Sequence, residues 1–135
     1  MSIVQVNQIK HHLKEQFDGL IDMSDSHQRG ENLEKHFLTR ALAAYSIKLF
    51  VEDDNETIGK LVTDGSNDNG LDAIYYNEKE QEIILVQSKW IDNGNGEPDL
   101  GEIKKFTDGV RDLISHKFHK FNKKLMTEKM KLKEH

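Results

Sequence analysis

Asp68-Asn69-Gly70-Leu71-Asp72 and, one short hairpin further on, Gln87-Ser88-Lys89 bring carboxylates, an amide and an ammonium within reach of one another. Groups of these types on one face of two adjacent strands can hold a phosphodiester for hydrolysis. Such cleavage needs a positioned water and stabilised negative charge on the phosphate oxygens, which Mg²⁺ or Mn²⁺ supplies when oxygen ligands hold it. In this reading Asp72 anchors the metal, the Ser88 carbonyl adds a second oxygen and the Gln87 amide a third. Lys89 orients the attacking water or neutralises the transition-state phosphate.

For these groups to meet, two strands must pair in one register. Leu71 to Tyr76 and Glu82 to Trp90 are rich in Ile, Val, Leu and Tyr and flank the polar run Asn77-Glu78-Lys79-Glu80-Gln81, so they predict a β-hairpin. With the turn centred between Lys79 and Glu80, Asp72 lies opposite Gln87 and Lys89 is its diagonal neighbour. Ile74, Tyr76, Ile83 and Leu85 share that face, because strand side chains alternate while opposed residues point the same way. A slip of one residue would send Asp72 to the other face.

Around the hairpin the apolar spacing is helical. Ile9, Leu13, Phe17 and Leu20 mark a helix from Ile3 to Leu20, and Asp22 to Ser26 break it. Leu33, Phe37, Leu38, Ala41, Leu42, Tyr45 and Leu49 predict a longer helix from about His27 to Phe50 whose stripe faces the core. Asp54 to Val62 suits a short helix, and Ser66 to Gly70 a turn-rich loop. After the loop Asn93 to Pro98, Asp99 can cap a helix carrying Ile103, Phe106, Val110, Leu113 and Ile114, with Phe118 and Phe121 continuing the pattern.

Composition narrows the classes of function. At 135 residues the chain is one domain, residues 1–135, and its 36% apolar and 32% charged content is that of an ordinary globular protein. It has no cysteine, which removes disulfides, thiol nucleophiles and thiolate metal sites and suits the reducing cytoplasm. There is no membrane span and no secretion signal in Met1 to Leu20. The formal charge of −5 is divided unevenly: residues 117–135 hold seven lysines against Glu128 and Glu134. That basic tail could touch a phosphate backbone, or serve as a solvated helix face; the acidic body suits a site that gathers carboxylates for divalent cations.

The string Thr63 to Trp90, TDGSNDNGLDAIYYNEKEQEIILVQSKW, together with GENLEKHFLTRALA from Gly30 to Ala43, resembles the PD-(D/E)xK nuclease superfamily in its D…QxK variant. Within it the pattern is similar to Mrr-type restriction endonucleases and, more closely, to the amino-terminal domain of the abortive infection phage resistance (AIPR) family. The resemblance implies an α/β, restriction-endonuclease-like core: a mixed sheet with a central hairpin flanked by helices, cleaving DNA with Mg²⁺ in anti-phage defence. It also implies that a helical glutamate four residues after a glycine helps bind metal or water, which is Glu34 after Gly30, with Glu31 the competing candidate. Glu34 shares a helical face with Leu38, Ala41, Leu42 and Tyr45.

Three departures from the family pattern stand in this sequence. Leu71, not proline, precedes Asp72, and Gln87 replaces the usual second acid, removing one negative charge from the metal site. Only two strands are evident, so either further ones lie in Lys48 to Val51 or beyond residue 135, or this is a trimmed version of the fold. Taken singly, Asp72 could stabilise a turn, Gln87 could be an edge-strand residue and Lys89 could protect a strand end. A nuclease-fold module that has lost catalysis and binds nucleic acid or a protein partner is the competing function. A homodimer would suit two-strand cleavage, and the unstopped last helix suggests the amino-terminal part of a longer protein. His116 and His119 share a helical face without a third zinc ligand, the Asp64–Gly70 segment fails the calcium-loop pattern, and no Ser-His-Asp arrangement is visible.

Overall fold

A computed structural model describes residues 2–24, 26–62, 72–77, 79–97 and 99–114, with side chains as far as residue 111. The loop around Asp68, Leu71, the histidine pair and the basic tail lie outside the described residues. Among the described residues the fold is mixed α/β, with four helices and a two-stranded antiparallel sheet.

Helix α1 spans Ile3–Phe17, and Ser2 starts it with a reciprocal capping box to Gln5. It stops three residues before the predicted Leu20, because Asp18 leaves the helical region and Gly19 takes φ +76°. Helix α2 spans Glu31–Lys48 and begins later than the predicted start near His27. Gly30, at φ +60° and ψ −130°, sets its start in a conformation that a side chain disfavours, leaving His27 to Arg29 outside. Helix α3 covers Asn55–Gly59, capped by the Asp54 carboxylate on the Thr57 N–H at 2.7 Å.

Strands β1 (Ala73–Asn77) and β2 (Glu82–Val86) pair in the predicted register, Ala73 with Val86 through Asn77 with Glu82. On the opposite edge of β1, Val62 makes an antiparallel bridge to Ala73, and the Ile74 N–H donates to the Leu61 carbonyl at 3.4 Å. The extra pairing therefore comes from the end of the α3 segment; residues 49–51 form no strand. Helix α4 spans Leu100–Ile114, preceded by Asp99 as predicted.

The core is a cluster of Leu13, Phe17 and Ile21 against Leu38, Ala41, Ala44 and Ile47, closed by Ile58, Val62 and Ala73. The alanines let the helices approach closely, and Leu13, Phe17 and Leu38 are fully buried. Tyr75, Ile84 and Val86 pack against this cluster, so one hairpin face covers the helices α1 to α3. Ile74, Tyr76, Ile83 and Leu85 occupy the other face, as the register requires.

Candidate functional site

Past Val86 the second strand leaves the ladder but keeps its alternation. Ser88 Oγ donates to the Thr39 carbonyl of α2 at 2.7 Å, and the Trp90 N–H donates to Thr39 Oγ1 at 3.1 Å. Gln87 and Lys89 turn the other way, to α4: Gln87 Nε2 donates to the Glu102 carbonyl at 3.1 Å, and Lys89 Nζ lies 2.7 Å from Glu102 Oε1. Residues 87–90 are thus threaded between two helices, even positions to α2 and odd positions to α4.

Asp72 enters this segment through a local break in the ladder. Its N–H donates to the Val86 carbonyl at 2.8 Å, although Val86 is the ladder partner of Ala73. Asp72 and Ala73 are therefore both set against Val86 of β2, as in a bulge, and strict alternation stops at Asp72. Extrapolating the register to an Asp72–Gln87 pair is off by this step. What fixes the carboxylate instead is the Ser88 N–H, which donates to Asp72 Oδ2 at 2.6 Å. The residue is 7% exposed, and a buried carboxylate is costly without such a donor.

Asp72 and Ser88 are in direct contact, and Gln87 and Lys89 flank Ser88 in the chain. Glu34 belongs to a different cluster. Its carboxylate accepts from Lys14 of α1 at 2.6 Å and has Lys10 at 3.8 Å, and the Lys14 hydrogen bond holds its pKa below the usual glutamate value. With Lys10, Glu31, Lys35, Leu38 and Asp92 it lines a polar cleft of about 160 Å³. Lys35 pairs with Asp92 at 3.0 Å, and that bond with the Trp90 indole N–H at 2.9 Å keeps the Asp92 carboxyl acidic. Glu34 and Glu31 both line this cleft, and among the described residues neither acid shares a hydrogen bond with the hairpin groups.

Would these residues suit a hard divalent cation? Asp72, the Gln87 amide and the Ser88 carbonyl offer oxygen donors only, and Mg²⁺ is commonly held by one or two carboxylates with waters and substrate phosphates completing its shell. Among the described residues no three His, Asp or Glu side chains gather as a metal cage. Among the described residues the donor chemistry fits a site with one protein carboxylate and neutral oxygens.

Glu102 is the contact that reading the residues for chemistry missed. The interval from Asp99 to Glu102 is the spacing of a capping box, and the structure has both halves: the Glu102 N–H donates to Asp99 Oδ1 at 2.7 Å and the Asp99 N–H to Glu102 Oε2 at 3.2 Å. Its reach to Lys89 depends on how α4 docks, which no local spacing encodes. The hydrogen bond to Glu102 raises the pKa of the Lys89 ammonium, so Lys89 stays charged.

A serine and histidine also meet, away from this site. Ser26 Oγ and His36 Nδ1 are 2.8 Å apart, with Arg40 Nη2 at 3.3 Å from the other ring nitrogen. A guanidinium only donates, so Nε2 accepts and Nδ1 carries the proton toward Ser26. That tautomer cannot accept a proton from the serine at Nδ1.

No helix among the described residues is long and apolar enough to cross a membrane. Comparison of the chain with protein-family models, with curated proteins and with solved structures finds no match in any of the three.

Proposed function

We propose that the chain is a nuclease-fold domain that hydrolyses phosphodiester bonds, with Asp72, Gln87 and the Ser88 carbonyl holding Mg²⁺ or Mn²⁺ and Lys89 meeting the phosphate. One observation carries the reading: the buried Asp72 carboxylate accepts the N–H of Ser88, the middle residue of the Gln-Ser-Lys segment. A carboxylate fixed by a backbone donor does not have to reorganise when a ligand arrives, which is the property a preorganised site needs.

In this reading Asp72 supplies the negative charge, Gln87 and the Ser88 carbonyl supply neutral oxygens, and Lys89 offsets charge on the phosphate. The cation, when bound, would polarise the phosphate and acidify a bound water. Glu34, held by Lys14 and Lys10, acts from the neighbouring cleft or on a water beyond the metal. The substrate we infer is DNA, the partner a second copy of the chain for two-strand cutting, and the setting cytoplasmic anti-phage defence, as the D…QxK resemblance implies. Incubating supercoiled plasmid and single-stranded RNA with the protein in Mg²⁺ or Mn²⁺, with and without chelator, tests this. Cation-dependent nicking supports it, and intact nucleic acid under every condition contradicts it.

A second reading is favoured by the side-chain pairs themselves. Lys89 and Gln87 are both engaged by Glu102, and Glu34 by lysines, as in a domain that binds nucleic acid or a protein without cutting. Retained nucleic-acid binding with no cleavage would select it.

A further inference from the structure

From its two contacts with the Gln-Ser-Lys segment we infer that Glu102 is a positioning residue of the cation site, supplying from α4 the negative charge that Gln87 lacks. The inference rests on the reading of Asp72, Gln87 and Ser88 as cation ligands. In that reading Lys89 sets an ammonium beside the segment that supplies the cation's ligands, and an unopposed positive charge there would repel a divalent ion. The Glu102 carboxylate, 2.7 Å from Lys89 Nζ, offsets that ammonium and holds it toward α4. Charge near an ion of two positive units counts for more in a site partly shielded from water.

The same residue orients Gln87. The Glu102 carbonyl can only accept, so the amide must present Nε2 to it, and Oε1 is left as the other end of the group. Oxygen, not nitrogen, is the atom a hard cation takes from an amide. An acid at position 87 would meet the Glu102 carbonyl with an acceptor on an acceptor, so glutamine at 87 and the docking of α4 belong together. Glu102 is itself held from behind, because its second carboxylate oxygen accepts the Asp99 N–H.

A capping role alone predicts something different, and Glu102→Gln separates the two. Glutamine still accepts the Asp99 N–H, so the capping box and the helix survive, while the charge facing Lys89 is removed. Mn²⁺ binding to the full chain is measured by titration calorimetry for the wild type, Glu102→Gln and Asp72→Asn, with thermal melting of each. The expected result is that Glu102→Gln melts with the wild type yet weakens Mn²⁺ by about tenfold, more at low salt, while Asp72→Asn abolishes binding. Unchanged Mn²⁺ affinity in Glu102→Gln, with binding lost in Asp72→Asn, overturns the role of Glu102 and leaves the site standing. Equal binding by all three, or by none, overturns the cation site itself and this inference with it.

Discussion

Two backbone contacts help to place Asp72: its N–H on the Val86 carbonyl and its carboxylate on the Ser88 N–H. Removing the acceptor would leave that N–H unsatisfied at a cost of about 1–3 kcal/mol. Asp72→Asn keeps an acceptor for Ser88, so it should melt within about 1 kcal/mol of the wild type while losing the negative charge; differential scanning calorimetry checks this. Arg40 is the other buried polar group that holds structure: 1% exposed, it donates from Nη1 to the Asp22 carbonyl at 2.7 Å and reaches His36. It pins the segment after α1 to the face of α2. Arg40→Ala should cost about 3 kcal/mol in denaturant unfolding, since it removes that hydrogen bond and leaves a cavity in the core.

Helix ends show where local sequence carries the fold and where it does not. The stripe from Leu33 to Tyr45 marks α2, yet its first turn is decided by the positive φ of Gly30, which apolar spacing does not encode. Helix α3 shows the same dependence on distant chain: a Cβ built on Gly59 would lie 2.7 Å from the Leu20 carbonyl oxygen. Gly59→Ala should therefore destabilise by about 1–3 kcal/mol despite the better helix propensity of alanine, read out as a lower urea midpoint. The hairpin register was legible because its apolar alternation and its turn agree, and it ends at Ala73 because the bulge at Asp72 depends on Ser88 and α2. Glu34 was legible as a helical acid but not as the bond between α1 and α2, since Lys10 and Lys14 come from a helix far off in sequence. Its depressed pKa means that the Lys14 contact stabilises the fold above the ordinary value of 4.5, and that this contribution is lost as pH falls through the lower folded value. Melting temperature followed from about pH 6 to pH 3 should drop more steeply in the wild type than in Glu34→Gln.

As a whole the molecule places its hairpin between unlike partners. One face covers the apolar cluster of α1 to α3, and the Gln-Ser-Lys segment runs on between Thr39 of α2 and Glu102 of α4. The acidic body and the lysine-rich residues 117–135 divide the charge between two ends of the sequence. If the tail meets phosphate, removing its lysines should weaken nucleic-acid binding at all sequences and flatten its salt dependence, as filter binding over a salt series would record. Chemistry, however, is assigned to Asp72 and Lys89, whose types and spacing are visible in the sequence and whose contacts with Ser88 and Glu102 are visible only in the fold. The rate of Mg²⁺- or Mn²⁺-dependent plasmid cleavage by the wild type, Asp72→Asn and Lys89→Ala tests that assignment. Cleavage by the wild type that falls at least about a hundredfold in each variant is the predicted result; equal cleavage by all three proteins would contradict it.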